Sequence, residues 1–235
     1  MDYEGFLELV KERRSIRSLK ADPIPDEQVD KVIEAARFAP SGFNLQPWEF
    51  VIVKDAELKK QIVQCVRDTI AMTWRMEAAR ESWQGPKMPA DPPPAGFASA
   101  PVFIVPFGDT RTREGLPMIH QYSEESWNKT FTSTLASAFL YMHLAATSLG
   151  LGSQWVSAVT LPSAACLIKQ LLGVPAPFQI YDMMALGYPN MTPPPKPLRS
   201  REEMVHRGAC GPGDFKSDAQ VKEWIFKIRN PKASR

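Results

Sequence analysis

The run from Ser123 to Leu149 constrains the fold of this chain most. A serine stands at its start in the position of a helix cap, and Ser133, Ala136, Ser137, Ala138, Ala145 and Ala146 recur through it. The spacing predicts one long helix. Its small side chains let neighbours approach closely, so it is expected at the centre of the fold, packed on several sides.

Shorter elements surround that helix. Tyr3, Phe6, Leu7 and Val10 form one stripe of a helix over residues 2–12. Pro25 opens a second, with Asp26 and Glu27 in its first turn and Val29, Val32, Ile33 and Ala36 on its buried face; Pro40 and Gly42 end it. Leu58, Ile62, Cys65, Val66 and Ile70 predict a long helix over 55–82. Strands are expected at Trp48–Val53, Pro101–Phe107, Ser153–Val159 and Phe178–Leu186. A helix starts at Leu161-Pro162-Ser163 and stops at Gly173, a short one lies around Glu202–His206, and an amphipathic one lies near Ala219–Ile228. With no repeat and no long linker, this reads as one α+β domain over residues 1–235. It carries a C-terminal extension at about 207–235 and a proline-rich insertion at about 83–100.

The remaining composition mostly excludes. Prolines number 22 in 235 residues, about twice the usual share, and they concentrate at Pro86–Pro94 and Pro193–Pro197. A net charge of +2 makes no electrostatic case for nucleic acid or a membrane surface. No apolar run approaches the length of a membrane-spanning helix, and the acidic, amphipathic start is unlike a signal peptide. The three cysteines, Cys65, Cys166 and Cys210, are far apart, which suits a reducing, cytoplasmic setting and argues against a disulfide framework or zinc site. His120, His143 and His206 are scattered, so no metal centre is expected, and His143 in its apolar run reads as a hydrogen-bonded structural residue. Asp182 in the last strand is read in the same way. Gly150-Leu151-Gly152 lacks the third glycine of a dinucleotide fingerprint and follows a helix, not a strand.

Two segments carry chemistry. Arg13-Arg14-Ser15-Ile16-Arg17 places three guanidiniums and a hydroxyl in a loop after a helix, a set suited to phosphate; a solvated basic helix end is the plainer reading. Ala39-Pro40-Ser41-Gly42-Phe43-Asn44-Leu45-Gln46-Pro47-Trp48 is a stiff polar loop whose side chains can pair with the rim of a planar heterocycle, or simply connect a helix to a strand.

Together these segments resemble the nitroreductase family of FMN-dependent oxidoreductases. Leu149-Gly150-Leu151-Gly152-Ser153 agrees, as does Ala185-Leu186-Gly187-Tyr188-Pro189 followed by Lys196, Arg199 and Glu202-Glu203-Met204-Val205-His206. The resemblance implies a three-layer α/β/α fold with a mainly antiparallel sheet, and a homodimer with FMN at the interface. It implies that Arg13, Arg14, Ser15 and Arg17 hold phosphate and ribityl oxygens, with Arg17 reaching the pyrimidine edge. Pro40, Ser41, Gly42 and Asn44 would come from the other subunit. Trp155, Val156, Ser157 and Ala158 would approach flavin N5 and O4, and Lys196 and Arg199 would return to the phosphate. Trp83, Tyr122 and Trp127 are the candidates for a substrate pocket, beside Trp74 as a more ordinary core aromatic. The implied reaction is ping-pong, from NADH or NADPH through flavin N5 to a nitroaromatic, quinone or similar small acceptor. Reductive dehalogenation or another specialised flavin reaction is the second reading, and non-enzymatic binding of FMN or a planar ligand the third.

Overall fold

Ser123 caps the central helix as its position predicts: its Oγ accepts from the Ser126 N–H at 3.2 Å. A computed structural model describes residues 2–77, 80, 81, 84 and 94–229. The elements in chain order are α1 (Tyr3–Glu12), α2 (Asp26–Arg37), β1 (Trp48–Val53), α3 (Ala56–Met76), β2 (Val102–Asp109), α4 (Met118–Gln121), α5 (Glu124–Ser148), β3 (Gly152–Val156), α6 (Pro162–Leu171), β4 (Phe178–Ile180), β5 (Met183–Gly187) and α7 (Asp218–Arg229). The class is α+β as expected, and every strand pair in the β1-β2-β5-β3 sheet, with β4 also on β2, is antiparallel. Among the described residues no helix is long and apolar enough to cross a membrane.

The chain forms two compact units. The first comprises Met1–Thr69 and Pro94–Pro193, the second Ile70–Pro93 and Pro194–Arg235. In the first, α5 lays Leu135, Phe139 and Met142 against Ile104, Met184 and Leu186 of the sheet, with Val29, Val32 and Ala36 of α2 in the same core. Each such large side chain contributes about 1.5–3 kcal/mol on burial. Gly108 allows α5 to lie this close, because a Cβ there would stand 2.2 Å from the Phe131 ring. Of the small residues of α5, Ala138 and Ala146 are buried and Ala136 and Ala145 half-buried, while Ser133 is exposed and Ser137 half-buried, each serine donating back to a helix carbonyl. In the second unit, Lys216 meets Glu203 at 3.0 Å and the His206 and Phe215 rings lie 5.2 Å apart.

Four expectations need correction. The strand expected over Ser153–Val159 ends at Val156, where a 3-10 segment begins. The helix expected over 55–82 ends at Met76. Residues 202–204 form a turn, closed by the Val205 N–H on the Arg201 carbonyl at 3.0 Å, and not a helix; a single turn gains little from helix propagation. The apolar run Phe178–Leu186 is two strands. β2 pairs Phe107 with Ile180 and Ile104 with Met184, so Val105 and Pro106 face three residues, Tyr181, Asp182 and Met183. Pro106 is the cause. It cannot donate to the ladder, although its carbonyl still accepts from Tyr181 N at 2.9 Å, and prolines inside sheets are found at such bulges.

Candidate functional site

The Arg13–Arg17 loop is laid along the free edge of β3. The Arg13 N–H closes α1 on the Leu9 carbonyl at 3.0 Å. Ser15 then pairs with Ser153 in parallel, Ile16 N donates to the Ser153 carbonyl at 2.9 Å, and Leu19 bridges Pro189. Buried Ile16 and Leu19 pin the segment. Arg13 and Arg14 are left half-buried and Arg17 exposed. Among the described residues none of these three guanidiniums has a hydrogen bond or an ion pair, and neither does the Ser15 hydroxyl. Burial, and then the charge of Arg14, hold Arg13 below the ordinary arginine range. Arg13 is thus partly desolvated beside Arg14 with no counter-charge among the described residues, which costs free energy until an anion arrives.

Behind this edge lies an aromatic layer. The buried Ser153 hydroxyl meets His143 Nδ1 at 2.7 Å. The imidazole stacks on Trp155 with centroids 5.3 Å apart and planes 1° from parallel, and Phe139 meets the Trp155 ring edge-on at 4.5 Å. Among the described residues His143 Nε2 has no partner; burial, and then the charge of Arg13, lower its pKa to about 3, so it is neutral. The Trp155 indole N–H donates to Asp182 Oδ2 at 2.6 Å. Val156 is buried, Ala158 half-buried and Ser157 exposed, and the chain turns there into a 3-10 segment, Ser157–Thr160.

The Pro40–Gln46 loop is held by a different level of α5. Gly42 N donates to Thr134 Oγ1 at 3.0 Å, Gln46 N donates to Ser41 Oγ at 3.2 Å, and Gln46 Nε2 donates to Asn44 Oδ1 at 3.0 Å. Pro40 and Asn44 are exposed. Phe43, Asn44 and Gln46 have φ of 55°, 55° and 46°, and among the described residues they are the only non-glycines with positive φ. Such strain tends to collect at functional sites. Thr134, which anchors this loop, and His143, which anchors the β3 edge, are separated along α5 by about 13 Å at about 1.5 Å per residue.

Gly42 is the tightest point of the loop, since a Cβ there would stand 2.3 Å from Thr130 Cγ2. Gly42→Ala is expected to cost about 1–3 kcal/mol, read as a lower melting temperature. Thr130→Ser, which removes the colliding methyl, should restore much of the loss in the double variant.

The remaining candidates are dispersed. Tyr122 is 81% exposed and Trp127 4%, the latter packed on Phe131 with ring centroids 4.6 Å apart. Trp83 lies outside the described residues. Lys196 and Arg199 belong to the second unit, where Arg199 donates to the Glu203 carbonyl at 2.6 Å. Asp182, which the sequence leaves without a partner, is instead bonded to Trp155 at the edge of this site. The signal for its position was Pro106.

Residues 10–188, most of the chain and all of the elements around the β3 edge, match the model of the nitroreductase family. The chain belongs to that family. Among its relatives, a putative NADH dehydrogenase/NAD(P)H nitroreductase from Archaeoglobus fulgidus is 28% identical over 79% of this chain and 86% of its own. Iodotyrosine deiodinase 1 of Rattus norvegicus is 29% identical over 81% of this chain and 64% of its own. A crystal structure of oxidized iodotyrosine deiodinase bound to FMN and 3-iodo-L-tyrosine superposes with a TM-score of 0.65 at 26% identity, covering 87% of this chain and 99% of that one.

Proposed function

We propose that this member of the nitroreductase family is an FMN-dependent oxidoreductase that carries electrons from NADH or NADPH to a nitroaromatic, quinone or similar small acceptor, as a cytoplasmic homodimer. The observation that carries this reading is the Arg13–Arg17 loop on the β3 edge, whose three guanidiniums and Ser15 hydroxyl have no partner among the described residues. Guanidinium forks match phosphate oxygens in charge and shape, so these residues fit the phosphate of FMN.

Bound FMN would supply the redox chemistry, taking a hydride from the nicotinamide and passing electrons to the acceptor. The protein's part is position and electrostatics. Arg13, Arg14 and Ser15 hold the phosphate and ribityl oxygens. Arg17, exposed at the end of the loop, offers positive charge to the pyrimidine edge of the ring. The backbone of Trp155–Ala158, turning at the end of β3, presents N–H groups to the N5 and O4 edge. Pro40, Ser41, Gly42 and Asn44 serve the site of the other copy, a division supported by the separation of the two anchors along α5. Apolar faces left open support a second copy as well: α1 has no buried residue and exposes Tyr3, Phe6 and Val10, and α5 exposes Leu140 and Tyr141.

The visible spectrum of the purified protein tests this reading, before and after anaerobic NADPH and then NADH. Flavin absorption that bleaches with either nucleotide is the expected result. A protein that takes up no added FMN overturns the reading, and a flavin that neither nucleotide bleaches points to a specialised reaction or a carrier. The likeness to the deiodinases favours a second reaction at the same site, reductive loss of halide from a halogenated phenol. Iodide release from 3-iodotyrosine under dithionite, without nitroaromatic turnover, would make that the principal activity.

A further inference from the structure

The roles assigned so far leave the buried carboxyl of Asp182 unused. This residue lies in the bulge opposite Pro106. It is 7% exposed and accepts the Trp155 indole N–H at 2.6 Å. The Ser157 hydroxyl lies close enough to favour its charged form. Asp182 therefore holds Trp155 and faces Ser157, the two residues that flank Val156, while His143 and Phe139 hold the Trp155 ring from other sides. Stability alone does not call for a charge here. An asparagine of the same shape would accept the indole N–H, and a carboxylate fed only by neutral donors is costly to bury.

We propose that Asp182 is a positioning residue: through Trp155 and Ser157 it fixes the Trp155–Ala158 segment against the reactive edge of FMN, and its grip changes with its ionisation. The proposal rests on the FMN reading given above. Burial pushes the Asp182 carboxyl up to about 6, against the opposing pull of the Trp155 bond and the nearby Ser157 hydroxyl. As a carboxylate it accepts from both donors. Protonated, one of its oxygens becomes a donor itself, and the exposed Ser157 is the partner released. The neighbouring titratable groups stay constant between about pH 5 and 7. Tyr181, beside it, is pushed up to about 12 by burial and by the Asp182 charge. His143, across the indole on α5, is held down to about 3, and Arg13 beyond it remains a cation. Phe139 of α5, which meets the same indole, and Pro106 of β2, opposite the bulge, carry no charge.

Two measurements on the full chain test this. In the protein without FMN, the Trp155 indole ¹⁵N–¹H resonance, assigned by its loss in Trp155→Phe, should titrate with a midpoint near pH 6 and be flat in Asp182→Asn. In the FMN-loaded protein, the flavin absorption bands should shift with the same midpoint in the wild type but in neither Asp182→Asn nor Ser157→Ala. The exposed Ser157 keeps the second variant informative if the first folds poorly. In Asp182→Asn, kcat/KM for the reduced nicotinamide should fall about tenfold, with FMN affinity within about threefold. A flat indole resonance in the wild type, or flavin bands that ignore both substitutions, overturns the proposal while the FMN reading stands. A protein that takes up no FMN overturns that reading, and this proposal with it.

Discussion

Replacing Arg13 and Arg14 together by alanine should abolish FMN uptake at micromolar concentrations while leaving the protein without FMN as stable as before, or more so. Charge-assisted hydrogen bonds contribute about 1.5–3 kcal/mol each, so losing two weakens binding by about 10² to 10⁴-fold. Titration calorimetry with FMN reads this directly. The stability half of the expectation comes from the absence of a counter-charge among the described residues: burial and Arg14 already hold Arg13 below its ordinary range, and removing both cations relieves that cost. Inorganic phosphate should raise the melting temperature of the wild type and leave the double variant unmoved. If the double variant melts well below the wild type without FMN, the arginines serve the end of α1, and the plainer reading of a basic helix end is correct.

Much of this arrangement is legible in the sequence. Trp48–Val53 forms a strand with the expected limits because its aromatic and β-branched residues suit one, and Ser123 caps α5 because its hydroxyl stands ahead of a helical run. The Arg-Arg-Ser-Ile-Arg motif names its residues, but nothing local says that it will lie along β3. The missed break at Tyr181–Asp182 has a long-range cause. Phe178–Leu186 reads as one strand because its side chains are mostly apolar, and the interruption is imposed by Pro106, a residue of another strand. The partner of Asp182 was hidden in the same way, since Trp155 stands 27 positions away. In the Pro40–Gln46 loop the polar side chains advertise themselves, yet of the residues with left-handed backbone only Asn44 belongs to a type that favours it; Phe43 and Gln46 are held there by the loop's own hydrogen bonds and by the tie from Gly42 to α5.

The indole of Trp155 lies between two groups that respond to acid in opposite senses, and the largest stability effect expected of a single substitution follows from their balance. His143 has a folded pKa of about 3, below its unfolded value of 6.5. Between these values the unfolded chain binds the extra proton, so stability falls as the pH drops. Asp182 has a folded pKa of about 6 against 3.8 unfolded. There the folded chain binds the extra proton, so stability rises as the pH drops. Each group contributes a slope of about 1.4 kcal/mol per pH unit, and between about pH 4 and 6 the two nearly cancel. Asp182→Asn removes one side of the balance. On going from pH 6 to pH 4 the variant should lose about 3 kcal/mol more than the wild type, a further fall in melting temperature of about 6–12 °C for a chain of this size. Urea melts of both proteins across that range measure it, and carboxylates elsewhere in the chain drop out of the difference. His143→Gln should do the reverse, gaining on the wild type by a similar amount as the pH falls. Parallel curves for all three proteins would show that neither group changes its proton affinity on folding. The buried pair would then be held by packing alone, with no charge for the site to use.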